Sequence, residues 1–97
     1  MSHFNKLTPA EAERLSLLLE ECGEVLQAIG KIQRHGYASR YPKNGLSNRA
    51  KLEDEVGHVL AAVLRLERAG DLDGKMVTNS GDSKLAEGQY LHHQEAA

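Results

Sequence analysis

Three observations predict an all-α fold for this chain of 97 residues. Two long stretches repeat their apolar residues at intervals of three and four, the period of one helix face. Each stretch is bracketed by residues that start and stop helices. The chain also has no Trp and a single Phe, so its core must be built from Leu, Val, Ile and Ala, a palette that favours helices over an aromatic-rich sandwich.

The first helix starts at "TPAE". Thr8 suits the N-cap, Pro9 the first helical position, and Glu11 completes a capping box. Leu15, Leu18, Leu19, Cys22, Val25, Leu26, Ile29 and Ile32 then form the stripe. Lys31 and Arg34 complement the dipole at the far end, and Gly36 suits the C′ position, so the helix spans about 9–35. With Cys22 at the centre of the stripe, that thiol reads as a small core residue.

"GYASRYPKNGL" (36–46) holds two Gly, a Pro and an Asn-Gly pair, and reads as a loop whose Tyr37 and Tyr41 either stack on a base or cover a core edge. A second helix is predicted over 47–69, with the stripe Leu52, Val56, Val59, Leu60, Val63 and Leu66 and a stop at Gly70. "DLDGKMVTNSGDS" is rich in turn residues, and "KLAEGQYLHHQ" is expected to supply one short helical segment. Two long helices joined by a short loop make an antiparallel hairpin. A hairpin does not enclose its own core, so a four-helix bundle formed by a homodimer or homotetramer is expected, with 1–97 as a single domain.

Composition narrows the function. A net charge of −2 lacks the basic patch that nucleic-acid binding needs. No apolar run approaches the roughly 18 residues of a membrane span, and "MSHFNKLTPA" does not read as a signal peptide. The lone Cys22 excludes an internal disulfide and fits the cytoplasm.

The carboxylates are the unusual feature. Glu20, Glu21 and Glu24 crowd two turns of the first helix, where like charges repel by a few tenths of a kcal/mol per pair. Glu21 lies about 100° from Cys22, and Glu24 about 160°, on a flank shared with Leu17 and Ala28. On the second helix Glu55 lies only about 40° from Val59, among Leu52, Ala62 and Leu66, and so on the core side. An unpaired charge there costs several kcal/mol. His58 sits one turn on, at the edge of the same face. Glu21 and Glu24 on one helix, with Glu55 and His58 on the next, form two i, i+3 pairs able to face each other across a hairpin, as bundle metal sites do. Carboxylates with water positions left over suit Mg²⁺, and an imidazole tilts the set toward Mn²⁺ or a later metal. The pattern also admits plainer readings: a solvated glutamate face, Glu55 paired to Arg14 or Arg49, and His58 as a boundary histidine.

"EECGE" (20–24) followed by "EVGH" (55–58) resembles the all-α nucleoside triphosphate pyrophosphohydrolases of the MazG type, whose signature is Glu-Glu-x-x-Glu on one helix and Glu-x-x-Asp on the next. The likeness covers roughly residues 10–69. It implies cleavage of a nucleoside triphosphate to the monophosphate and pyrophosphate, with Mg²⁺ held by motif carboxylates in helical dimers or tetramers. Carried over by position, Glu21, Glu24 and Glu55 are metal ligands, and Glu20, beside Glu21, holds a further ion or orients the attacking water. His58 stands where the signature has aspartate, and thirty residues separate Glu24 from Glu55. Lys31 and Arg34 are the candidate phosphate contacts. The competing expectation is a catalytically silent helical oligomer that binds a nucleotide, metal or protein partner.

Overall fold

The computed structural model describes residues 4–94, which form α1 (Pro9–His35), α2 (Asn48–Arg68) and α3 (Gly74–Ala86). Residues 1–3, at the head of the stretch read against a signal peptide, lie outside that range. No strand is present among the described residues, which are all-α apart from an isolated bridge between Arg40 and Ser47.

The start of α1 is closed as its sequence dictates. The Thr8 hydroxyl accepts from the Glu11 amide, the Glu11 carboxylate accepts from the Thr8 amide, and Pro9 opens the helix. Gly36 ends it at φ 85°, a left-handed conformation open to glycine at no steric cost. The loop folds back onto the start of α2. The Asn48 amide donates to Ser39 O and the Arg49 amide to Tyr37 O, while the buried Asn48 side chain donates to Gly36 O. The Arg49 guanidinium lies over the Tyr37 ring, 4.8 Å from its centroid. Ser47 caps α2 by accepting from the Ala50 amide.

α1 and α2 pack antiparallel, since Gly36 meets Asn48, Glu21 meets His58, and Arg14 meets Asp71. Ala28 on α1 and Ala62 and Leu66 on α2 are the buried apolar side chains among the described residues, and small side chains at Ala28 and Ala62 permit close approach of the helices. The far end of the hairpin is tied by Arg14, whose Nε and Nη2 donate to Asp71 at 2.6 and 3.1 Å. These hydrogen bonds hold the Asp71 carboxyl below the usual carboxylate range, against the opposing effect of partial desolvation, and raise the Arg14 guanidinium.

Two expectations are corrected. Cys22 is exposed, because the face of α1 turned to α2 runs through Leu18, Glu21, Val25, Ala28 and Ile32, a rotation of about 80° from the centre read off the sequence. The stripe Leu15, Leu19, Cys22, Leu26 and Ile29 therefore faces away from α2. The second correction concerns the C-terminal part. α3 occupies "GKMVTNSGDSKLA", most of which reads as turns, while the segment after Ala86 is not helical. Asp73 accounts for the difference: its side chain accepts from the Lys75 and Met76 amides and starts a helix despite the glycines that follow. α3 buries none of its side chains.

Candidate metal centre

The i, i+3 spacing of Glu55 and His58 places both on the α2 face that meets α1, and the antiparallel crossing sets Glu21 opposite them. One ligand atom from each of Glu21, Glu55 and His58 falls within 4.8 Å of the others. His58 Nδ1 stands 3.2 Å from Glu21 Oε2 and 3.5 Å from Glu55 Oε2. Its other nitrogen, Nε2, is 3.6 Å from Asp54 Oδ1, beyond hydrogen-bond distance.

Glu21 Oε2 is the telling atom. It is buried and has no hydrogen-bond partner; the imidazole faces it at ion-pair distance without the alignment of a hydrogen bond. Burying a carboxylate oxygen without a donor is unfavourable unless a cation takes the place of one. A converging set of two carboxylates and an imidazole, one oxygen of it orphaned, fits a divalent ion. The two arginines considered as partners for Glu55 are engaged elsewhere, Arg14 on Asp71 and Arg49 on Tyr37.

The remaining candidates are distributed around this cluster. Glu24 is outside the three-residue group but lines the adjoining cavity together with Glu55. Glu20 is exposed on the neighbouring surface of α1. Lys31 lines the same cavity as Glu24 and Glu55, and Arg34 lines the next one toward the loop, with Lys31 and Tyr41. His92 and His93 are exposed and not part of the cluster. Sequence reasoning passed over Lys51 and Asp54. Each stands four residues before a site residue, Lys51 before Glu55 and Asp54 before His58, and that i, i+4 spacing is the signal that points to them.

No helix among the described residues is long and apolar enough to cross a membrane. Neither the curated proteins nor the solved structures yield a match to the chain. A family model described as the MazG nucleotide pyrophosphohydrolase domain matches residues 10–87, which takes in all three helices but for Pro9, the first residue of α1. That match extends over most of the chain and includes every residue of the cluster: the chain belongs to the MazG nucleotide pyrophosphohydrolase family.

Proposed function

We propose that this protein hydrolyses a nucleoside triphosphate to the monophosphate and pyrophosphate with Mg²⁺ or Mn²⁺ held by Glu21, Glu55 and His58, Glu24 completing the set. The observation that carries this reading is the buried, unpartnered Glu21 Oε2 at the meeting point of the two family motifs. A bound divalent ion supplies neutralisation of phosphate charge and acidification of a bound water. The chain's own residues do the rest. Glu55 and Glu21 keep two carboxylate oxygens in a partly dry groove, and His58 faces them at 3.5 and 3.2 Å. The water oxygen bonds to the α-phosphorus, the bridge to the β-phosphate breaks, and the water's proton passes to a carboxylate, for which Glu21 and the adjacent Glu20 are the candidates. Lys31 and Arg34 form the cationic side on which phosphate oxygens rest.

The same reading includes a homodimer or homotetramer, in the cytoplasm, in which hairpins pair into a four-helix bundle. Its support is the uncovered stripe of α1, with Leu19 at 76% and Leu26 at 70% exposure, beside Val56, Leu60 and Leu64 on α2. Mid-helix Gly23 and Gly57 adjoin those stripes, and a Cβ at either meets nothing within the chain, which leaves room for a neighbouring helix. Sedimentation should show an oligomer that Leu19→Glu converts to monomer.

The activity is tested by incubating a panel of nucleoside triphosphates with Mg²⁺ or Mn²⁺ and measuring pyrophosphate. Release of pyrophosphate from at least one nucleotide supports the reading. Nucleotide binding without turnover would instead favour the silent binding oligomer, the outcome that the His58 replacement makes worth testing.

A further inference from the structure

Beside the three-residue cluster, toward the loop, lies a cavity of about 80 Å³ whose lining includes two carboxylates, Glu24 and Glu55, and two ammonium groups, Lys31 and Lys51. Opposite charges sharing so small a space ordinarily collapse into ion pairs. Here neither lysine is within salt-bridge distance of a carboxylate among the described residues. Part of the reason is local. Lys51 precedes Glu55 by four residues on α2, the less favourable order for an i, i+4 pair. Its Nζ is also held by the loop, donating to Tyr41 O at 3.0 Å, which leaves two N–H donors free. A second cavity of about 190 Å³ continues the groove past Lys31 and Lys51 to Arg34 and Tyr41. The groove thus has an anionic end that suits a cation and a cationic end that suits an anion, held apart by the two helices.

We propose that Lys51, together with Lys31, is the phosphate-binding half of the site and holds the β- and γ-phosphates of the substrate, and then the pyrophosphate released from it. This rests on the reading that the chain hydrolyses nucleoside triphosphates. It adds a direction, with the reacting α-phosphate at the Glu21–Glu55–His58 end and the leaving group toward the 36–47 loop. Lys51 lies about 6 Å along the helix axis from Glu55, one turn nearer the loop. In the reaction a water oxygen bonds to the α-phosphorus and the bond from that phosphorus to the bridging oxygen breaks. The electron pair of the broken bond leaves with pyrophosphate, and the water's proton passes to a carboxylate. Negative charge therefore grows on the leaving group, where the ammonium groups of Lys51, held by the loop, and Lys31 stabilise it.

The test is calorimetric titration of inorganic pyrophosphate, in the presence of Mn²⁺, into the wild type, Lys51→Gln, Lys31→Gln and the double variant. Each single variant should weaken pyrophosphate binding about tenfold or more, the double variant further, and Lys51→Arg should restore most of it. Binding of Mn²⁺ alone should not weaken in any of them. Because Lys51 also ties the loop, Lys31→Gln, which removes no hydrogen bond seen here, serves as the control for folding. Unchanged pyrophosphate affinity in the double variant would overturn the proposal while leaving the hydrolase reading intact if the wild type still releases pyrophosphate. Lys51-dependent pyrophosphate binding in a wild type that turns over no nucleotide would instead retain the anion site and reject the hydrolase reading.

Discussion

Replacing Glu55 by glutamine should stabilise the metal-free protein and at the same time abolish its response to metal. Glu21 and Glu55 present carboxylate oxygens no more than 4.8 Å apart, at side-chain exposures of 17% and 22%. Two like charges at that distance repel by about 3.5 kcal/mol at an effective dielectric constant of about 20. Access to water screens part of this, and exposed pairs are worth at most about 1 kcal/mol, so relief on the order of 1–2 kcal/mol is expected for this half-buried pair. For a domain of this size each kcal/mol moves the melting temperature by roughly 4–8 °C. Glu55→Gln should therefore melt above the wild type in chelator. On adding Mn²⁺ the order should reverse, since saturation at about a hundred times Kd stabilises the wild type by roughly 2.7 kcal/mol and the variant not at all. Thermal unfolding at fixed protomer concentration, with and without Mn²⁺, reads both effects. A variant that melts below the wild type in chelator, or that keeps the metal-induced shift, would refute the reasoning.

Three further predictions follow from particular contacts. His58→Asp replaces one nitrogen donor with a carboxylate, so Mg²⁺-supported turnover should rise severalfold and the ratio of Mn²⁺ to Mg²⁺ activity should fall, as steady-state assays with each metal would show. Asp71 is held below its ordinary range by the hydrogen bonds from Arg14. A group whose folded pKa is lowered contributes stability above its unfolded value, about 3.8, and loses it as pH falls through the folded value. Asp71→Asn should thus be less stable than the wild type at neutral pH, and denaturant titrations should converge as the pH is taken below the carboxylate range. Leu66 is the most deeply buried large side chain, at 1% exposure. Leu66→Ala should cost about 2.7–5.0 kcal/mol and lower the melting temperature by about 10 °C or more, unless the helices close over the gap.

Much of the hairpin was legible because its ends are written in local chemistry. Thr8 and Glu11 satisfy each other's amides at the start of α1, where Pro9 has no N–H to satisfy, and Ser47 caps α2 in the same local way. The turn of Glu55 toward the first helix was legible too, from its angle to Val59, with His58 at the edge of the same face. The facing of α1 was not, since its richest apolar stripe, through Leu19 and Leu26, is turned away from α2. Angular hydrophobicity gives the width of an apolar surface but not which sector meets the neighbouring helix of the same chain. α3 was hidden because its composition argues for turns, and only the Asp73 cap, with its two backbone hydrogen bonds, shows where it begins. On the cationic side of the groove Lys31 and Arg34 were legible as candidate phosphate contacts, but Lys51 was not. Lys51 is one of many charged helix residues until the loop carbonyl of Tyr41 and the cavity beside Glu55 give it a place.

If Glu21, Glu55 and His58 together hold a divalent ion, Mn²⁺ makes that ion directly visible. Pulsed electron paramagnetic resonance of Mn²⁺ added to the wild type, to His58→Ala and to Glu21→Gln would observe the ion and its ligands without relying on turnover. The wild type should bind Mn²⁺ with hyperfine coupling to an imidazole nitrogen. That coupling should vanish in His58→Ala, and binding should be lost or strongly weakened in Glu21→Gln. A wild type that binds no Mn²⁺, or a nitrogen coupling that persists in His58→Ala, would contradict ion binding by these three residues.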